Sequence, residues 1–291
     1  MTIAKTVDLV VAARRAGYAV PAVNIVDDLS MRAIIAAAEV ARSPIIVQTS
    51  VKTVKSMGAE IISGIFQHAA GNASVPVALH LDHCPDRAVI TEVIRHGWTS
   101  VLFDASDRPL QQAWDETREV VAQCHAVGVG VESEIENIVG VEDGVGSDEA
   151  LHSYSNATIV QVADDTGTDL LAPALGTAHG LYKASPVLQY DRVTEIGRLT
   201  DKPVVLHGGT GLSPADFQRF IDNGVAKINI STTVKLAYMH AARDHIAKAE
   251  QTGKWEPVKM FDDINAAVQA TVIEHIGEFG SKGAAAGVAA R

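Results

Sequence analysis

Cysteine is scarce. Cys84 and Cys124 are the two thiols among 291 residues, too few for a disulfide framework, which points to a reducing compartment and sets a cytoplasmic location as the expectation. Long apolar runs are missing as well. No stretch approaches the roughly 18–20 uninterrupted apolar residues of a membrane-spanning helix, which argues against a membrane partner. The first eight residues, Met1 to Asp8, lack a basic region followed by an apolar run, so no secretory signal is expected. Positive charge is in the minority, with 24 Lys and Arg against 35 Asp and Glu and a formal net charge of −11. No Lys/Arg cluster appears, which argues against nucleic acid as a partner. An acidic chain can still hold an anionic small molecule through metals, helix N-termini or rows of backbone N–H groups.

The remaining composition is that of an ordinary globular chain, 47% apolar and 20% charged. Short β-branched runs recur at Pro21–Asn24, Pro44–Thr49, Pro76–His80, Ser100–Asp104, Val129–Glu134, Leu170–Leu175, Pro203–His207 and Ala226–Ile230. Amphipathic stretches lie between them, among them Ser30–Ala41, Asp86–His96, Leu110–Ala126, Asp191–Leu199 and Pro214–Asp222. Eight strands alternating with helices predict a parallel sheet with crossover helices, closed into a (β/α)8 TIM barrel within one domain, residues 1–291. The helical patterns Ile3–Ala16 and Asp262–Glu278 fall outside the eight units. They read as an N-terminal helix under the barrel and a C-terminal helical extension. Glu136–Ser155 is a long connection without an apolar period, and loops of that length are usually functional or mobile. The Gly- and Ala-rich tail Gly280–Arg291 is expected to fray.

In such a barrel the C-terminal strand ends carry the site. His83, His179 and His207 all fall at those ends. Three neutral imidazoles with an open fourth position suit a catalytic Zn2+, and Glu134 offers a further oxygen ligand. Gly208-Gly209-Thr210-Gly211 follows the seventh strand and precedes a helix, a place where backbone N–H groups can approach a phosphate. Asn229, Ser231 and Thr232 stand at the end of the eighth strand and add polar donors. Asp82 adjoins a proposed ligand, and Glu142 lies on the long acidic loop. A metal, a phosphate cradle and two separate carboxylates suit carbon–carbon cleavage beside a carbonyl.

At these residues the sequence resembles the class II fructose-bisphosphate and tagatose-bisphosphate aldolases. The motifs His80-Leu-Asp-His83, Val131-Glu-Ser-Glu134, Gly176-Thr-Ala-His-Gly-Leu-Tyr-Lys183, His207-Gly-Gly-Thr-Gly211 and Lys227-Ile-Asn-Ile-Ser-Thr232 appear in order. The resemblance implies Zn2+ on His83, His179 and His207, with Glu134 associated. It implies Asp82 as the acid/base at the hydroxyl of the carbon that becomes the aldehyde, and Glu142 as the mobile-loop acid for the proton at C3. It implies Gly180, Lys183, Gly208, Gly209, Thr210, Asn229, Ser231 and Thr232 as the cradle for the phosphate and carbonyl end of dihydroxyacetone phosphate. Asn24 and Ser50 would line the same pocket. A monovalent cation, Na+ or K+, near the phosphate and a homodimer or homotetramer are also implied.

The sequence departs from the family pattern in three places. Glu136 stands where the family usually has glycine, and Val139–Val141 lacks the usual double glycine. Gln269 falls where tagatose-bisphosphate aldolases carry an arginine for the 6-phosphate. Two other functions compete with the aldolase. A metal-dependent hydrolase on the same fold commonly has a His-X-His pair on its first strand, whereas this chain has Pro21-Ala-Val-Asn24. A noncatalytic sugar-phosphate-binding protein would be expected to have lost a ligand or an acid, and here all are present.

Overall fold

The computed structural model describes residues 2–147, 149–180 and 186–287. Its strands are β1 (Val20–Asn24), β2 (Ile45–Ser50), β3 (Val77–Cys84), β4 (Ser100–Asp104), β5 (Gly130–Glu134), β6 (Gly140–Glu142), β7 (Val145–Ser147), β8 (Leu170–Leu171), β9 (Val204–Leu206) and β10 (Val225–Ile230). The helices are α1 (Thr6–Ala16), α2 (Asp28–Ala41), α3 (Val51–Met57), α4 (Ala59–Gly71), α5 (Arg87–Arg95), α6 (Leu110–His125), α7 (Asn156–Thr166), α8 (Tyr190–Leu199), α9 (Pro214–Asp222), α10 (Thr232–Thr252) and α11 (Pro257–Glu278). β1–β5 and β8–β10 pair in parallel and close into a barrel, β10 returning to β1, while β6 and β7 form a separate antiparallel hairpin. The expected eight-stranded barrel is therefore present. Among the described residues, no helix is long and apolar enough to cross a membrane.

Each barrel strand alternates between two environments, as the period of two requires. Along β2 and β3 the inward positions run Ile46, Gln48, Ser50 and Ala78, His80, Asp82. At one end of the barrel these side chains are apolar: Val20, Ala22, Ile46, Ala78, Leu170 and Val205 pack with Leu9, Val10 and Ala13 of α1. α1 is the expected helix under the barrel, ended by Gly17 in the left-handed conformation at φ 73°. At the other end the same strands carry buried polar groups. Outward positions pack under the surrounding helices in a second, larger core.

Several expectations need correction. The sixth barrel strand was expected over Leu170–Leu175 but pairs only over Leu170–Leu171. Pro173 has no N–H to give, and the Ala174 N–H goes instead to the Glu136 carboxylate at 3.1 Å. The connection Glu136–Ser155 contains the β6–β7 hairpin. The tail does not fray as far as residue 287: Ser281 is fully buried, its Oγ accepts from Ser43 at 2.9 Å, and the Gly283 N–H bonds the Ala41 carbonyl.

Candidate active site

Asp82 and His83 are neighbours on β3, so in a regular strand they would face opposite sides. The β3–β4 register shifts between Leu81 and Cys84, and His83 adopts φ 35°, in the left-handed region. This break lets both side chains reach the same mouth, with His83 Nε2 4.0 Å from Asp82 Oδ1. A non-glycine residue held there costs about 1–3 kcal/mol, which the surrounding contacts must offset.

The three histidines expected from the sequence do meet. One ligand nitrogen from each of His83, His179 and His207 lies within 4.8 Å of the others. Their rings are mutually near-perpendicular, with centroids 4.7–6.1 Å apart. His83 and His207 are buried and His179 is partly so. Each buried imidazole has one nitrogen turned toward the cluster and the other tied to a carboxylate. His207 Nε2 lies 2.7 Å from Glu132 Oε1, and its Nδ1 lies 2.9 Å from His83 Nε2. His83 Nδ1 bonds Asp104 Oδ2 at 3.1 Å and lies 3.5 Å from Glu134 Oε2. A carboxylate behind an imidazole fixes its orientation, the usual arrangement around a metal.

Burial opposes charge on His83, yet Asp82, Glu134 and Asp104 outweigh it and hold the imidazolium well above the ordinary histidine range. Burial, with His83 and Lys227 nearby, pushes His207 well below that range. Burial and then Asp104 raise Glu134 well above the carboxylate range, and its Oε2 has no hydrogen-bond partner. The cluster is thus rich in buried acid and gathers positive charge at one point. A divalent cation on the same atoms meets the same demand.

Asp82 is gripped from both sides. Asn24 Nδ2 donates to Oδ2 at 3.0 Å and Asn229 Nδ2 to Oδ1 at 3.1 Å. Gln48 in turn donates to Asn24 Oδ1 at 2.8 Å, and Lys227 Nζ to Asn229 Oδ1 at 2.8 Å. Lys227 also bonds Glu132 Oε2 at 2.8 Å, with both side chains fully buried. A continuous polar chain therefore runs from Gln48 to His207. Sequence reasoning did not single out Glu132, Lys227, Gln48 or Asp104. Charged residues of opposite sign inside apolar strands were the available signal.

The glycine loop after β9 sits close to the loop carrying His179. A Cβ on Gly208 would lie 2.6 Å from the Ala178 carbonyl oxygen, and its φ is 66°. Gly209 packs under Phe217, and Thr210 meets Thr233 of α10 at 3.5 Å. The helix expected to supply N–H donors here, α9, is already capped by Ser213 in a capping box with Asp216. α10 differs: its start at Ser231 has no side-chain cap, and Ser231 Oγ is buried without a partner. Thr232 opens that helix and Asn229 stands two residues before Ser231, so the open helix start lies beside the glycine loop.

The remaining expected residues are more dispersed. Ser50 lies at the end of β2, where its Oγ caps α3 by accepting from the Thr53 N–H at 3.2 Å. Glu142 ends β6, and Gly180 follows His179 at φ 78°. Lys183 lies outside the described residues. Gln269 is on the outer helix α11, one position past the buried Val268 and half-buried itself. Among the described residues, no hydrogen bond or ion pair joins Gln269 to a strand end.

The fold and the mouth define a (β/α)8-barrel protein with a three-histidine, carboxylate-backed cluster that could hold a metal ion, beside an open helix start. The family model for class-II fructose-bisphosphate aldolase matches residues 4–284. A fructose-bisphosphate aldolase of Geobacillus stearothermophilus is 38% identical over 279 residues, covering 94% of this chain and 96% of that protein. The YdjI aldolase of Escherichia coli K12 superposes with a TM-score of 0.85 at 29% identity, over 97% of this chain and 99% of the other. A Coccidioides immitis protein described as a candidate fructose-1,6-bisphosphate aldolase gives 0.89 at 29% identity, over 97% and 98%. The chain belongs to the class-II fructose-bisphosphate aldolase family, and it is an aldolase, a carbon–carbon lyase.

Proposed function

We propose that this aldolase reversibly cleaves a phosphorylated ketose to dihydroxyacetone phosphate and an aldehyde. For a fructose- or tagatose-type 1,6-bisphosphate the aldehyde is glyceraldehyde 3-phosphate, and ketose 1-phosphates are the other substrate class. The observation that carries this reading is the meeting of His83, His179 and His207 within 4.8 Å, beside an Asp82 gripped by two amides. His83, His179 and His207 would hold Zn2+, with Glu134 as a further oxygen ligand; its Oε2 makes no hydrogen bond and lies 3.5 Å from His83 Nδ1, so it would have to turn from that side of the ring to reach the ion. When bound, the ion supplies Lewis-acid stabilisation of the charge that develops on the carbonyl side of the breaking bond.

The chain's own residues do the rest. Asp82, its orientation fixed through Asn24 and Asn229, takes the proton from the hydroxyl on the carbon that becomes the aldehyde. Glu142, on the hairpin, moves the proton at C3. Gly180, Gly208, Gly209, Thr210, Asn229, Ser231 and Thr232, with Lys183 from outside the described residues, cradle the phosphate. The uncapped start of α10 supports this with free N–H groups and the positive end of a helix dipole. Asn24 and Ser50 line the same pocket. A monovalent cation, Na+ or K+, beside the phosphate, a homodimer or homotetramer, and a cytoplasmic role in carbohydrate metabolism complete the reading.

The test is release of dihydroxyacetone phosphate from a panel of ketose 1-phosphates and 1,6-bisphosphates, with and without chelator. Cleavage that stops on chelation and returns with Zn2+ is expected. Asp82→Ala should keep its zinc and lose carbon–carbon cleavage. A chain that binds the sugar phosphates and cleaves none of them would defeat the reading.

A further inference from the structure

β6 and β7 are joined by Asp143 and Gly144, at φ 52° and 88°. An Asp-Gly pair with both φ positive is the two-residue turn that matches strand twist. The hairpin is attached at its base through backbone. The His179 N–H donates to the Val139 carbonyl at 2.8 Å, and Val139 bridges both Ala178 and Ser147. Gly140 lies so close to His179 that an added Cβ would sit 2.8 Å from its carbonyl oxygen. At the tip, among the described residues, the attachment is one side-chain contact, Lys235 Nζ to Asp143 Oδ2 at 2.8 Å. Lys235 is in the first turn of α10, and its own N–H bonds the Ser231 carbonyl at 3.0 Å. The hairpin therefore runs from the loop bearing His179 to the helix start bearing Ser231 and Thr232. Glu142 stands between the two attachments, immediately before Asp143.

We propose that Lys235 is a positioning residue: by holding Asp143 it docks the hairpin that carries Glu142 between these two walls of the mouth, as proton transfer at C3 requires. The proposal rests on Glu142 moving that proton. At Val139 and Gly140 the base attachment is backbone, whereas the tip is held by a side-chain pair that one substitution releases. The Lys235 and Asp143 side chains are 27% and 19% exposed, so the contact is shielded but not deeply buried. Ion pairs near the surface add little to folding stability, so its loss is felt mainly in where the hairpin sits. The competing role for a lysine one turn from Ser231 is a direct contact to the substrate phosphate.

The test uses the zinc-loaded enzyme and follows exchange of the C3 proton of dihydroxyacetone phosphate with solvent deuterium by NMR. Lys235→Met, Asp143→Asn, their double variant, Lys235→Arg and Glu142→Ala are compared with the parent. Asparagine keeps the turn geometry while removing the charge. Lys235→Met and Asp143→Asn should each slow saturated exchange by about ten- to a hundredfold, the scale of a small misplacement of a reacting group. The half-saturating concentration should stay within about threefold of the parent value, because binding is not what is lost. The double variant should be no slower than the worse single variant, and Lys235→Arg should recover most of the rate. Additive losses, unchanged exchange, or a raised half-saturating concentration with an intact saturated rate would each overturn the proposal, the last by making Lys235 a phosphate contact. Loss of exchange in Glu142→Ala but not in Lys235→Met removes the proposal alone. Parent-like exchange in Glu142→Ala removes the role of Glu142 and, with it, the purpose of the latch.

Discussion

Replacing Arg192 with methionine would remove a guanidinium that joins three segments behind the mouth. Its Nη1 donates to the Ala174 carbonyl at 2.6 Å and its Nε to Asn156 Oδ1 at 2.9 Å. Its Nη2 donates to the Tyr154 carbonyl and to Glu136 Oε1, both at 3.0 Å. Glu136 is 1% exposed and also accepts the backbone N–H groups of Tyr154 and Ala174, at 2.6 and 3.1 Å. The pair thus pins the two ends of the hairpin-bearing loop to the stretch leading to His179. Arg192→Met leaves the Glu136 carboxylate buried without its cation. Breaking a buried pair in this way typically costs about 3–5 kcal/mol. Here the two backbone donors still solvate the carboxylate, so about 3 kcal/mol, the lower end, is expected. For a chain of this size that is a fall in Tm on the order of 5–10 °C. Glu136→Gln added to Arg192→Met removes the stranded charge and keeps an acceptor for one N–H. The second substitution should therefore raise stability above Arg192→Met alone. Urea unfolding of the zinc-loaded protein, followed by tryptophan fluorescence, measures both. A double variant less stable than Arg192→Met, or an Arg192→Met variant within about 0.5 kcal/mol of the parent, would refute the argument.

Three further outcomes are expected. Alanine at His83, His179 or His207 should abolish cleavage and weaken zinc retention together, since the ligands act as one unit; full activity in excess chelator, with no metal found by elemental analysis, is the contrary result. Burial pushes the Cys84 and Cys124 thiols up to about 12, so iodoacetamide at pH 8 should leave both untouched in the native enzyme and modify both in guanidinium. At the position where relatives place an arginine, Gln269 would offer the 6-phosphate only a neutral amide, a loss of roughly 1.5–3 kcal/mol, or about ten- to a hundredfold in affinity. Ketose 1-phosphates should then rival the bisphosphates in kcat/KM, and Gln269→Arg should improve only the bisphosphates; a bisphosphate preference of about a hundredfold or more in the parent would sink this.

The mouth was legible because a barrel brings strand ends together whatever their separation in sequence. His83 and His207 are 124 residues apart, yet their nitrogens lie 2.9 Å apart. Polar residues at those ends stand out against apolar strands, so the histidines and Asp82 could be named without coordinates. The elements that were missed lack such a contrast. α10 buries only Val234 and Ala249 of its 21 residues, so no apolar stripe marks it. The hairpin has no alternation to reveal it, though Asp143-Gly144 is a turn signal. Ser50, read as a pocket residue, also marks the start of α3 as its N-cap.

Glu136 and Gln269 were both visible as departures from the family pattern, and sequence alone gave no reason to treat them differently. Their surroundings separate them. Glu136 finds Arg192, 56 residues further along, and two backbone donors, so its carboxylate is a structural replacement for a glycine that would have left the loop neck unpinned. Gln269 finds no charged partner among the described residues. Two candidate stand-ins for the missing arginine, Arg108 and Arg243, already have partners. Arg108 is bound to the Asp104 and Pro85 carbonyls and to Glu116, and Arg243 pairs with Asp244 on the exposed face of α10. A departure whose charge is answered locally belongs to the architecture. One left unanswered on an outer helix points toward a change in what the far end of the substrate carries, and the comparison of bisphosphates with 1-phosphates is where that difference should appear.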